Sequence, residues 1–159
     1  MSAIVSNLPA GVVRADEGER HDLSDLRVIY KSLGAETGGG AFVWQMQAPP
    51  GAAVPPHRHT VEDELIYVLA GAVEATVGDQ TYALGAGDLV KMPKGVPHAL
   101  RMTGTETART LWMAVPAGKM ESFFRALAAL PSDGPPDPEL IARISREHGM
   151  DVLPSTVHT

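Results

Sequence analysis

Short strand-like runs, each closed by a glycine or a proline, recur between residues 27 and 116 and limit the folds that the chain can adopt. They are rich in β-branched and aromatic residues, and no helical segment separates them. About nine such runs can be recognised by this pattern: Arg27–Leu33, Ala41–Ala48, Val54–His59, Glu64–Leu69, Val73–Val77, Thr81–Leu84, Asp88–Met92, His98–Met102 and Thr107–Val115. Short strands joined by tight turns are typical of an antiparallel sandwich or barrel, so we expect an all-β core.

Alternation within the second run indicates which side chains face that core. Phe42, Trp44 and Met46 fall on one face of the strand, and Gln45 and Gln47 fall on the other, because successive side chains of a strand point to opposite faces. The apolar face is predicted to be buried.

The last quarter of the chain has a different period. Lys119–Leu130 carries apolar residues at helical spacing, which predicts a helix that packs one face on the barrel. After a proline-rich break, Asp137 is a predicted N-cap with Pro138 in the first helical position. The second helix is expected over Glu139–His148, with Gly149 at its C-terminal end.

Charge and composition limit the classes of partner and the chemistry that are open to the chain. The chain has 159 residues, a net charge of −6 and no cysteine. Its length favours one domain, and the absence of cysteine excludes disulfide scaffolds, thiol catalysis and cysteine-ligated metals. The acidic balance argues against nucleic-acid binding, no apolar run is long enough to span a bilayer, and no secretory signal is recognised. We expect a cytoplasmic protein with a small-molecule partner.

Three of the six histidines are spaced as metal ligands. His57 and His59 project from the same face of a strand, because they are two residues apart. Glu64 follows after a polar turn that could return its carboxylate to the same side, and His98 opens a strand after a Pro-Gly turn. Such a set suits one divalent Fe, Mn, Ni, Co or Zn ion per chain, and two positions would stay open for catalysis.

Two blocks of the sequence resemble the conserved motifs of the cupin superfamily. The first block is formed by Gly51, His57, His59, Glu64 and Gly71, and the second by Gly87, Pro93, Gly95 and His98. One position departs from the pattern, because Met102 stands where the family commonly has asparagine.

The resemblance implies a cupin double-stranded β-helix, or jelly-roll barrel, followed by two C-terminal α-helices. It implies that His57, His59, Glu64 and His98 hold the metal inside the barrel. We divide this single domain into an N-terminal arm with strands (1–33), a barrel core (34–116) and a helical extension (117–159). The family often dimerises through N-terminal strands, so a homodimer is expected.

The order of barrel and helices is similar to that of small quercetinase-like cupins, which implies a dioxygenase of an aromatic or enolic substrate, with Glu64 as the general base. One alternative is a Lewis-acid isomerase or cyclase of a polyketide-like or sugar-like substrate, and another is a non-enzymatic small-molecule-binding barrel. The candidate pocket residues are Phe42, Trp44, Met46, Met102, Trp112, Phe123 and Phe124.

The remaining residues receive simpler interpretations. Glu62 and Asp63 are interpreted as solvated turn carboxylates, with a hydrogen bond to a ligand histidine as the alternative. Tyr67 is out of phase with Glu64 and should lie outside the cavity. The methionines at 92, 102 and 113 are predicted to fill the core, and the histidines at 21, 148 and 158 are predicted to be unpartnered surface residues.

Overall fold

The chain folds into two antiparallel sheets that face each other. The computed structural model describes residues 7–131 and 134–155. In chain order, the strands of these residues are β1 (Arg20–Leu23), β2 (Leu26–Ser32), β3 (Phe42–Ala48), β4 (Ala53–His59), β5 (Asp63–Ala70), β6 (Val73–Val77), β7 (Gln80–Leu84), β8 (Leu89–Met92), β9 (His98–Met102), β10 (Ala108–Val115) and β11 (Met150–Val152). Two helices, α1 (Met120–Ala128) and α2 (Pro138–Glu147), lie between β10 and β11.

The strand order is that of a jelly-roll barrel. One sheet has the order β1-β2-β3-β10-β5-β8 and the other has the order β11-β4-β9-β6-β7. All pairs of neighbouring strands are antiparallel. The predicted all-β cupin fold with two C-terminal helices is confirmed, and each of the nine predicted strands is present with ends that shift by a residue at most.

The core lies between the sheets, where alternation predicted it. Along β3, Phe42, Trp44 and Met46 are buried while Gln45 and Gln47 are partly exposed. The aromatic rings continue into one stack, because the Trp44 ring lies 4.7 Å from Phe42 and 5.6 Å from Trp112 between centroids. This stack forms the apolar floor beneath α1.

Helices α1 and α2 begin and end close to their predicted positions. The Asp137 side chain caps α2 by accepting a hydrogen bond from the backbone N–H of Glu139 at 2.9 Å, and Pro138 is the first helical residue. Gly149 follows the helix with φ at +79°, a left-handed conformation that glycine adopts without steric cost. The chain can therefore turn directly from α2 into β11.

Strand β11 was not predicted from the sequence. Met150 pairs with His59 and Val152 pairs with His57 along β4. A three-residue strand has too little periodicity to be recognised locally, and it forms here because α2 delivers it to the free edge of β4. The last strand therefore borders the strand that carries two candidate ligands.

Three predictions about side chains outside the site are wrong. Met113 is 37% exposed, because its neighbours Trp112 and Ala114 take the inward phase of β10. His21 is partnered, since its Nε2 lies 2.7 Å from Oε1 of Glu19. His148 is partnered as well, because its Nδ1–H donates to the carbonyl of Ile144 at 2.7 Å. His158 lies outside the described residues.

Candidate metal centre

The four predicted ligands meet between the two sheets. His57 on β4 lies directly opposite His98 on β9 in the strand register, and Glu64 reaches them from β5 of the other sheet. All four side chains are buried. Their candidate ligand atoms lie within 4.8 Å of one another, so one ion could contact all four.

Glu64 occupies the centre of the cluster. Its Oε2 lies 3.3 Å from Nε2 of His59 and 3.3 Å from Nε2 of His98. The rings of these two histidines are nearly parallel at 6°, with centroids 5.4 Å apart.

Tyr67, on the opposite face of β5, is 41% exposed, which confirms its predicted position outside the barrel.

Backbone carbonyls determine which nitrogen of two histidines faces the centre. The Nδ1–H of His57 donates to the carbonyl of Pro55 at 2.9 Å, and that of His98 donates to the carbonyl of Val96 at 3.1 Å. A carbonyl can only accept, so the proton of each neutral ring lies on Nδ1 and the lone pair lies on Nε2. Both rings therefore present a lone pair for a metal.

The pKa values keep the Glu64 carboxylate charged and the His57 ring neutral at pH 7. Burial and the nearby His98 lower the pKa of His57 to about 4, so its ring is neutral at pH 7. Burial also opposes a charge on His59, but its hydrogen bond with Glu62 and the nearby Glu64 carboxylate raise its pKa to about 9. Despite burial, the close contacts with His59 and His98 hold the pKa of Glu64 well below its usual range.

The donor set fits a divalent transition metal. Among the described residues, the buried acidic and basic side chains are three histidines and two glutamates, with no lysine or arginine. Two buried carboxylates need compensating positive charge, and imidazole with carboxylate suits a first-row divalent ion. Oε2 of Glu64 and Nε2 of His59 and His98 are also buried without any hydrogen-bond partner. Coordination to a metal ion would satisfy all three atoms.

Glu62 extends the cluster by one residue. It is 1% exposed, so its interpretation as a solvated turn residue is wrong and the hydrogen-bonded alternative is correct. Its Oε2 accepts from Nδ1 of His59 at 3.3 Å. The signal was present in the sequence, because the inward phase of Glu64 and Ile66 extends back to position 62. Asp63 takes the outward phase and accepts from the backbone N–H of Lys94 in an exposed turn.

A cavity of about 700 Å³ leads from this cluster to the surface. His57 and Glu64 line its inner end. Five of the predicted pocket residues also line it: Trp44, Met46, Trp112, Phe123 and Phe124. Phe42 and Met102 do not belong to its wall. Phe42 stacks behind the indole of Trp44, and Met102 is buried on β9 opposite Val73.

Other parts of the cavity wall could not be inferred from strand alternation. Helix α2 contributes Ile141 and the buried hydroxyl of Ser145, and β11 contributes Met150. The β1–β2 hairpin contributes Asp22 on β1 and Asp25 in the turn. These elements are distant in sequence and meet only in the folded barrel, so no local pattern marks them.

The fold and the site together define a class of small β-barrel proteins with a candidate mononuclear metal centre at the base of an apolar cavity. Residues 44–114 match the Cupin domain family. A predicted oxalate decarboxylase from Thermotoga maritima has a similar solved structure, with a TM-score of 0.63 at 23% identity over 67% of this chain and 99% of that one. The chain therefore contains a cupin domain over residues 44–114, and its fold is the cupin fold.

Two named relatives are similar in sequence. Quercetin 2,3-dioxygenase of Bacillus subtilis is 32% identical over 96 residues, which cover 60% of this chain and 28% of that protein. Polyketide synthase CurC of Streptomyces cyaneus is 29% identical over 113 residues, or 70% of this chain and 71% of that protein. The chain thus spans less than a third of the length of the dioxygenase. In the described part of the chain, neither helix has the length and apolarity needed to cross a membrane.

Proposed function

We propose that this cupin binds one divalent transition metal through His57, His59, Glu64 and His98 and oxygenates an uncharged aromatic or enolic molecule. The observation that carries the proposal is the cavity, which joins this cluster to a wall of aromatic side chains. The similarity to the Bacillus quercetin 2,3-dioxygenase supports the reaction class. When bound, the metal supplies Lewis acidity and, for a redox-active ion, one-electron chemistry toward dioxygen.

The charges of the cavity favour a substrate without acidic groups. The charged residues that line it, among those described, are Asp22, Asp25 and Glu64, and no lysine or arginine lines it. Apart from the proposed metal, a carboxylate or phosphate would find no cationic side chain in this apolar space, which is unfavourable. Oxalate and sugar phosphates should therefore bind poorly, whereas hydroxyl groups could donate hydrogen bonds to the two aspartates at the mouth.

Glu64 is the candidate proton acceptor, because it both lines the cavity and belongs to the cluster. Close contacts with His59 and His98 hold its pKa below the usual range, so it would accept only from an acidic hydroxyl, as an enol or polyphenol provides. The rings of Trp44 and Phe124 would hold a flat substrate and exclude water.

Oxygen uptake tests the proposed reaction. Chain loaded with Fe(II), Mn(II), Ni(II) or Co(II) should consume dioxygen when a flavonol is added, and uptake should require both metal and substrate. Glu64→Gln should reduce the rate at least 100-fold, on the scale expected for a general base. Oxalate should produce no reaction and should not compete. Substrate binding without any turnover would contradict the proposal and favour the binding-barrel alternative.

A second candidate function is Lewis-acid cyclisation or isomerisation. The match to CurC favours it, because that match spans most of both proteins. Zn(II) would support this reaction as well as a redox-active metal does, and turnover would proceed without oxygen uptake. Product formation under argon therefore separates the two functions, because it should persist for the Lewis-acid reaction and stop for the dioxygenase.

The metal centre has its own test. Elemental analysis should find one divalent ion per chain, and His98→Ala should lose it. His148→Ala is the matched control, because His148 bonds within α2 and lies outside the cluster. Protein that cannot be loaded with any of the five candidate metals would refute the site.

We also propose a homodimer that uses the N-terminal arm. Val12 and Val13 are 72% and 51% exposed, which suits a segment covered by a second copy. The test is light scattering of the full chain and of a chain without residues 1–13. This deletion spares β2, whose Val28 and Tyr30 belong to the core. A monomeric full chain would contradict the proposal. The cytoplasmic location stays a prediction.

A further inference from the structure

We propose that Glu62 is a positioning residue that couples metal binding at His59 to the order of helix α1. The inference rests on the metal centre of the proposed function. It adds that the state of the centre is transmitted through one buried carboxylate to the helix that forms the wall of the cavity.

Both oxygens of Glu62 are used, and they join different parts of the molecule. Oε2 accepts from Nδ1 of His59 at 3.3 Å. Oε1 accepts from the backbone N–H of Lys119, the residue that precedes α1, at 3.1 Å. The side chain is 1% exposed, so water does not compete for either bond. One rigid group thus connects a candidate ligand to the start of a helix.

The start of α1 depends on this carboxylate. Lys119 occupies the N-cap position, and its side chain makes no capping hydrogen bond. A carboxylate at this end also interacts favourably with the helix dipole. Gly118 provides the space, because a Cβ atom at this position would overlap Oε1 of Glu62.

Helix α1 in turn shapes the cavity. Met120, Phe123 and Phe124 all line it, and the Phe124 ring lies 5.4 Å from that of Trp44. A change in the first turn of α1 would therefore move the aromatic wall against which a substrate rests.

The direction of the coupling follows from hydrogen bonding. A cation at Nε2 makes the Nδ1–H of His59 a stronger donor, which tightens its bond to Glu62 and fixes that carboxylate beside α1. Linkage is reciprocal. A substrate that orders α1 by filling the cavity should therefore also tighten the hold on the metal, and loss of Glu62 should weaken both effects.

The experiment measures amide hydrogen exchange and metal affinity with Zn(II) as the probe. In the wild-type chain, saturating zinc should slow exchange in the peptide that spans α1 by about tenfold, as an energetic coupling of ordinary size allows. Glu62→Ala and Glu62→Gln should each raise the Kd for zinc by about 10–100-fold and abolish zinc-dependent protection of α1. The glutamine variant keeps the size of the side chain, but its NH2 group replaces one of the two acceptor oxygens and would face a donor.

Two control variants separate coupling from general loosening. Glu121→Gln disturbs another tether of α1, the bond from the backbone N–H of Gly34 to the Glu121 carboxylate. It should speed exchange of α1 with and without zinc, while zinc-dependent protection persists. Asp63→Asn changes a neighbouring, exposed carboxylate at the start of β5 and should leave both zinc affinity and protection unchanged. The Co(II) spectrum should change in the Glu62 variants and not in these controls.

The outcomes distinguish failure of this inference from failure of the metal centre. A wild-type chain that binds zinc without slower exchange in α1 overturns the coupling and leaves the centre intact. Wild-type zinc affinity in both Glu62 variants overturns the positioning role. A wild-type chain that binds no zinc or other candidate metal overturns the metal centre and, with it, the coupling.

Discussion

Replacement of Phe124 by alanine tests how firmly α1 belongs to the barrel. The Phe124 ring is 5% exposed. It packs on Trp44 at 5.4 Å, on Phe123 at 5.5 Å and, at 6.4 Å, on both Tyr30 and Phe42. The ring connects the helix to the aromatic stack of β3 and contacts none of the candidate metal ligands. Its removal should therefore lower the stability of the fold without disturbing those ligands directly.

The magnitude follows from burial and from the neighbouring cavity. Truncation of a buried phenylalanine to alanine costs about 3–5 kcal/mol. One side of this ring lines an existing cavity, so the substitution enlarges an open space. The ring has no packing contacts on that side, and fewer contacts are lost than at a fully enclosed position. The lower end, about 3 kcal/mol, is therefore expected. For a domain of this size, that loss lowers Tm by about 6–12 °C.

Urea unfolding followed by tryptophan fluorescence measures the loss, because Trp44 lies against the altered site. A loss of about 3 kcal/mol should lower the midpoint by about 1.5 M for an m-value near 2 kcal/mol/M. Phe123→Ala is the matched control. Phe123 is only partly buried, so about 1–2 kcal/mol is expected for its smaller lost apolar area. A loss below about 1 kcal/mol for Phe124→Ala, or equal losses for the two variants, would refute this packing argument.

Three further predictions concern the metal, a glycine and an ion pair. Metal at about 100 times its Kd should add about 2.7 kcal/mol to the free energy of unfolding, measured as a rise in Tm that a chelator reverses; no rise would contradict the site. Gly118→Ala should weaken metal binding and also lower the free energy of unfolding. In a Glu62→Ala chain the same change should lower the free energy of unfolding only by the backbone strain of a positive φ, about 1–2 kcal/mol. Equal losses of stability in both backgrounds would exclude a clash with Glu62. Arg125 donates two hydrogen bonds to Glu19 and lowers the pKa of that carboxyl to about 2 from 4.5. The stabilisation is therefore present above pH 4.5 and lost as the pH falls through about 2. Urea titrations should show that Arg125→Met costs at most about 1 kcal/mol at pH 6, since the pair is partly exposed, and almost nothing at pH 2; a cost independent of pH would contradict this origin.

Local periodicity accounts for much of the agreement between sequence and structure. Alternation in β3 predicted the buried face correctly, and Gly or Pro marked the ends of strands because these residues favour tight turns. For Met113, the alternation of buried and exposed residues along the strand was not taken into account. Its burial was inferred from its apolar character, whereas its phase relative to Trp112 would have placed it outside.

Failures at other positions arise from contacts between distant segments. The ring of Tyr30 packs on His21 at 5.1 Å because β1 and β2 form a hairpin, whereas the other partner of His21, Glu19, is only two residues away. Phe42 has the right face for the pocket, but the larger Trp44 stands between it and the cavity. The alternation of side chains along a strand predicts which face of the sheet a residue occupies. It does not predict whether that residue reaches the cavity wall or lies behind another side chain.

The sequence by itself determined the donor set and the strands that carry it. Two histidines at i and i+2 share a face of any strand, so His57 and His59 needed no tertiary information to be paired. The tertiary structure decided how these donors are held and what reaches them. Glu62 is buried because the start of α1 closes over it, and the cavity owes part of its wall to α2 and β11. These features depend on packing between elements far apart in the chain, which a period of two or 3.6 residues does not encode.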